Sequence, residues 1–174
     1  MNELAAHIQY PMPRTLVLGL GNPILTDDGV GIHVVRAAAA QYAPADGVTF
    51  AEASVGGLRL LDALDGYERV ILVDAIQTSA GRPGDVYQLA ASDLPASLHS
   101  GSTHDLSLHA ALDLGRRLGM KLPGDKEILI LAVEAGDVLT FSDSCTQAVA
   151  RAIPRVMEAV RAQLEAPLSI DKST

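Results

Sequence analysis

The alternation of apolar and polar positions switches period repeatedly along this chain. "TLVLGL" (Thr15 to Leu20) is a short apolar run ending in glycine, the pattern of a strand buried on both faces. A helix is expected directly after it: Asp27 and Asp28 suit a first turn, where carboxylates meet free N–H groups, and Val30, Val34, Ala37 and Ala38 recur at helical spacing. "GVTFAEA" (Gly47 to Ala53) predicts a second strand and "LRLLDAL" (Leu58 to Leu64) a short helix entered through Gly56 and Gly57. "RVILVDA" (Arg69 to Ala75) predicts a third strand, interrupted at its end by Asp74.

Only about nine residues, rich in glycine and proline, separate that run from a fourth strand, "DVYQLA" (Asp85 to Ala90). A parallel crossover needs roughly a dozen or more, so the fourth strand is expected to run antiparallel. A long helix follows from His104 to about Leu118, with Leu108, Ala111, Leu112 and Gly115 on one face, and "EILILAVEA" (Glu127 to Ala135) predicts the fifth strand. The last helix carries Val149, Ile153, Val156, Val160 and Leu164, and Pro154 inside it should bend or split it. This order argues for a three-layer α/β/α fold with a mostly parallel sheet. One domain is expected over residues 1–174, with a core from about 15 to 165 and frayed ends, the tail from Pro167 among them.

Composition narrows the partners. A formal net charge of −8 disfavours nucleic acid and anionic membrane surfaces, which are gripped by basic patches. "MNELAAHIQYPMPR" lacks the charged start and apolar stretch of a signal peptide, and no run approaches bilayer length, so a cytoplasmic protein is expected. The one cysteine, Cys145, supports neither a disulfide nor a cysteine-based zinc site, and no nearby histidine offers it a base, so it reads as a packing residue.

In a sheet of this kind, ligands collect beyond the carboxyl ends of the strands, where the strand order reverses. Asp27 and Asp28 follow the first strand, Asp74 ends the third, His104 begins a helix and Glu134 ends the fifth strand. Two carboxylates and an imidazole from three loops make a plausible facial set for a divalent ion. Each has a plainer role as well. Either aspartate of the pair serves as a helix cap, a job that needs only one of them. Ser102 and Thr103 cap the helix that His104 opens, Glu134 serves as a salt-bridge partner, and His33, His99 and His109 are surface or packing residues. Asp74 is the exception, because an acid closing a buried run carries a desolvation cost unless something pairs with it.

The turn "GLGNPI" begins like a dinucleotide fingerprint, but Ile24 stands where the third glycine belongs and the acids that follow repel a pyrophosphate. "GLGNP" is similar to the opening of the peptidyl-tRNA hydrolases, yet the histidine and asparagine of that family are missing here. That enzyme class is a remote alternative.

Taken together, "LGLGNPILTDDGVGIHVV", "SVGGLRLLDAL", "VILVDAIQ", "GRPGDVYQL", "STHDLSLHAALDLGRRLG" and "ILILAVE" resemble the hydrogenase maturation proteases over about Thr15 to Val160. The resemblance implies a five-stranded mixed sheet of order 2-1-3-5-4 with the fourth strand antiparallel. It also implies an endopeptidase that trims the C-terminal extension of the [NiFe] hydrogenase large-subunit precursor. Nickel, supplied by that substrate, is the implied recognition element, contacted by Asp28, Asp74 and His104, with Asp28 and Asp74 as the catalytic carboxylates. Several family members carry glutamate where this chain has Asp28. Gly21, Asn22, Asp27, Gly56, Gly57 and Thr103 are the implied substrate contacts, the glycines, with Gly19, keeping the cleft floor low for an extended peptide. A non-catalytic nickel-dependent binding module or chaperone for the same precursor is the alternative.

Overall fold

The computed structural model describes residues 14–42, 47–54, 58–93 and 108–166. Five strands form one sheet of order β2-β1-β3-β5-β4: β1 (Thr15–Leu20), β2 (Val48–Ala53), β3 (Arg69–Ile76), β4 (Val86–Ala90) and β5 (Ile128–Glu134). β1 pairs in parallel with β2 and β3, β3 with β5, and only β4 runs antiparallel, against β5. The short connector before β4 therefore reverses the chain as its length requires.

The central strands β1, β3 and β5 are apolar on both faces because helices cover both. Leu16, Leu18, Val70, Leu72, Ile128 and Ile130 pack with Leu60, Leu61 and Leu64 of α2 (Leu58–Leu64) and Ala111 and Leu112 of α3 (Leu108–Arg117). Val17, Ile71, Val73, Leu131 and Val133 face the other way, onto α1 (Val30–Gln41), α4 (Gln147–Ala150) and α5 (Ile153–Glu165). Consecutive strand residues thus feed opposite cores, as a period of two demands.

Two boundaries differ from the sequence expectation, and a third, the split expected of the last helix, is observed. β3 continues through Asp74 to Ile76, since Asp74 and Ile76 still pair with Ala132 and Glu134 of β5. A 3-10 turn over Thr26–Gly29 stands between the glycine turn and α1, so Asp27 and Asp28 precede the α-helix, and neither end of that turn nor the start of α1 has a side-chain cap. The last helix is split: α4 ends at Ala150, and Pro154 sits in the first turn of α5, where its missing N–H costs no helical bond. The residues before Leu108 at the expected start of α3, and the tail from Pro167, lie outside the described residues.

Helix α1 lies against the sheet without a spacer. A Cβ on Gly31 would fall 2.2 Å from the Val73 carbonyl oxygen and 2.4 Å from that of Leu20, and one on Gly19 would meet the Gly31 carbonyl at 2.3 Å. These are backbone atoms of paired strands and of the helix itself and cannot step aside. Gly31→Ala is expected to lower the unfolding free energy by about 1–3 kcal/mol through this overpacking, read as an earlier midpoint in urea denaturation. An unchanged midpoint would mean the helix is not seated this closely.

Candidate active site

β1 leads the chain to one side of the sheet, to β2, and β3 returns on the other side of β1, so the strand order reverses between β1 and β3. A ligand crevice is expected at the carboxyl ends of these two strands. Asp28 and Asp74 stand at this point, one beyond each strand's pairing with the other.

The first acid is set by the glycine turn. Gly21 has φ +125°, and a Cβ there would lie 1.8 Å from the Asp28 carbonyl oxygen, so only glycine lets the chain double back this tightly. The fold-back brings the Asn22 N–H to Asp28 Oδ2 at 2.7 Å, while Asn22 Oδ1 accepts the Ile24 N–H at 3.2 Å. Gly21 and Asn22, expected to touch substrate, thus also fix the Asp28 carboxylate.

Asp27 needs correcting as a substrate contact. It is fully buried, and its carboxylate accepts four hydrogen bonds from the segment that follows β5. Thr146 N–H donates to Oδ1 at 2.7 Å, and Gly136 N–H, Asp137 N–H and the Thr146 hydroxyl donate to Oδ2 at 2.9, 3.0 and 3.0 Å. At 0% exposure the side chain is not offered to the crevice. Nothing local distinguishes the two aspartates in sequence, because the donors to Asp27 are more than a hundred residues away. Glu134 also departs from expectation. Only 2% exposed, it accepts the Thr78 N–H at 2.6 Å and the Thr78 hydroxyl at 3.0 Å, tying the β3–β4 connector down instead of pairing with a base.

Asp74 is the second acid of the crevice. By strand alternation it follows Val70 and Leu72 onto the face covered by α2 and α3. Burial pushes its carboxyl up to about 7; the Ala75 N–H, donating to Oδ1 at 2.8 Å, opposes the rise, and the charge of Asp28 adds to it. The two carboxylates are therefore close enough to repel each other. Among the described residues neither forms an ion pair with lysine, arginine or histidine. Such a pair fits a cation and fits an anion poorly. Among the described residues no three histidine, cysteine or acidic side chains form a metal-binding group. His104, Thr103, Gly56 and Gly57 lie outside the described residues. Cys145 is excluded as a nucleophile near neutral pH, since burial and the Asp27 charge push its thiol up to about 11.

The family model for the hydrogenase maturation protease matches residues 32–163. The chain belongs to the hydrogenase maturation protease family. Its relatives include the hydrogenase 2 maturation protease of Escherichia coli (strain K12), 33% identical over 107 residues that span 61% of this chain and 65% of that protein. The hydrogenase expression/formation protein HupD of Rhizobium leguminosarum bv. viciae is 34% identical over 85 residues, 49% of this chain and 42% of its own length. The matched stretches thus span less than two thirds of these two proteins. The structure of the hydrogenase maturating endopeptidase HybD from E. coli superposes with a TM-score of 0.71 at 29% identity, covering 87% of this chain and 91% of that one. The five-stranded mixed sheet of order 2-1-3-5-4 is the fold of these endopeptidases.

For this member of the protease family, the neighbouring aspartates should separate in a denaturation experiment. Asp27→Asn turns an amide N–H₂ toward buried N–H donors and should cost about 2–4 kcal/mol, while Asp28→Asn should stay within about 1 kcal/mol of wild type. Equal effects would contradict the geometry.

Asp74→Asn keeps the acceptor for Ala75 and removes the buried charge. The folded carboxyl titrates near 7 and the unfolded one near its ordinary 3.8, so wild-type stability falls as pH rises between these values. Asp74→Asn should therefore be more stable than wild type by on the order of 2–4 kcal/mol at pH 8, an advantage gone near pH 4. Chemical denaturation across that range tests it, and a constant offset at all pH values would refute it.

Proposed function

We propose that this protein is an endopeptidase that removes the C-terminal extension of the nickel-loaded [NiFe] hydrogenase large-subunit precursor, recognising the nickel that the precursor carries. The observation that supports this reading best is the pair of carboxylates, Asp28 and Asp74, held together at the strand-order reversal without a basic partner among the described residues. On a chain of the hydrogenase maturation protease family, a site of this polarity suits a cation delivered by the substrate. In this proposal Asp28, Asp74 and His104 contact the precursor's nickel, so the ion positions the scissile bond. One of the two carboxylates then polarises the attacking water and takes its proton. Gly21, Asn22, Gly56, Gly57 and Thr103 border the extended tail. The proposal places the reaction in the cytoplasm. Among the described residues no helix is long and apolar enough to cross a membrane.

The test is to mix the protein with nickel-loaded and nickel-free precursor and follow the large subunit on a gel. A shortened subunit is expected only with nickel, and Asp28→Ala and Asp74→Ala should each slow its appearance at least about 100-fold while remaining folded. Nickel-dependent association with no shortening would make the protein a binding module or chaperone instead of a protease. Shortening that ignores nickel would remove the metal from the recognition step.

A further inference from the structure

The two loops beside Asp28 carry an apolar surface that the chemistry above does not use. Residues 24–26 pair with residues 140–142: Ser142 N–H donates to the Ile24 carbonyl at 3.1 Å and Thr26 N–H to the Thr140 carbonyl at 3.1 Å, with Leu25 and Phe141 opposite each other. The Thr26 hydroxyl adds a 2.6 Å bond to the Thr140 carbonyl. On this paired segment Ile24 is 56% exposed, Phe141 78% and Leu139 83%. Among the described residues only five large apolar side chains are exposed, and these are three of them. The chain has two phenylalanines and no tryptophan, so placing one of its few large aromatics in water is a conspicuous cost.

The segment is also tied down by hydrogen bonds on both sides. Asp27 clamps Gly136, Asp137 and Thr146, and the Asp137 carboxylate accepts the Leu139 and Thr140 N–H groups at 3.0 Å each. The apolar side chains are thereby presented in a fixed relation to Asp28, which follows Asp27 directly. A preordered apolar surface loses little entropy when it is covered.

We infer that Ile24, Leu139 and Phe141 form a docking platform for the body of the large-subunit precursor, apart from the tail and metal held at Asp28 and Asp74. This rests on the functional reading above. Continuity with the candidate site favours the precursor as occupant, since the paired segment runs directly into Asp27 and Asp28. A second copy of the chain is disfavoured by charge: each copy carries −8, and Asp137 and Asp143 flank the platform.

The double variant Leu139→Ser/Phe141→Ser tests the inference, with Ile24→Ser on the opposing loop as an independent variant should the first fail to fold. Binding of nickel-loaded precursor to immobilised full-length protein and processing rates over a range of precursor concentrations are both measured, with sedimentation to report self-association. The expected result is thermal unfolding like wild type, Kd and KM each raised about tenfold or more, and kcat unchanged. Wild-type Kd and KM in folded variants would overturn the platform. A wild-type dimer that the variants dissolve, with precursor binding intact, would overturn it too, by assigning the surface to a second copy. Wild-type protein that binds precursor tenfold better than the variants but cuts nothing would sink the protease reading and uphold the docking surface. Wild-type protein that neither binds nor cuts would sink both.

Discussion

The buried carboxylate of Asp27 is the constraint on which the crevice depends. It accepts four hydrogen bonds from Gly136, Asp137 and Thr146, joining the turn after β1 to the loop after β5 and to the start of α4. A buried charge survives only when its acceptor sites are filled, and here the filling groups come from a distant part of the chain. The clamp fixes the 3-10 turn, and the fixed turn leaves Asp28 facing back toward Asn22. One acid of an adjacent pair is absorbed by the fold so that the other can be held out of it.

Most of the architecture was legible from period and length. The runs Thr15–Leu20 and Leu58–Leu64 carry their boundaries in apolar content, glycine and the change of period, and the bounds observed are those expected. The antiparallel β4 follows from a connector too short to cross the sheet, and the break before α5 from the geometry of Pro154. All of these are local constraints. The strand order itself entered through family resemblance, because pairing between β1 and β3 leaves no mark in either strand alone.

The candidate site was legible to the extent that its chemistry sits at strand ends. Asp74 stands out in sequence because a carboxylate closing a buried run is conspicuous, and Asp28 because carboxylates follow a glycine turn. Asp27 and Glu134 could not be sorted the same way: their partners lie 109 to 119 and 56 residues distant. The apolar rim at Leu139 and Phe141 was hidden for a related reason. "DVLTF" has the composition of a buried segment, and only the pairing with residues 24–26 turns those side chains outward.

What remains is a fold that fills the acceptors of its buried acids with donors and leaves one pair, Asp28 and Asp74, without a basic partner among the described residues. Gly19 and Gly31 let helix and sheet meet backbone to backbone, and Asp27 and Glu134 are filled by donors, yet burial, with the Asp28 charge adding to it, raises the cost of ionising Asp74. Natural sequences concede stability mainly where function requires it. On the function proposed above, a cation arriving beside the two carboxylates would offset the cost of ionising Asp74. A neutral peptide would not. On that reading, the charge of the incoming ion acts on a carboxylate whose ionisation burial already disfavours, which gives a protease a physical means of sensing an ion on its substrate.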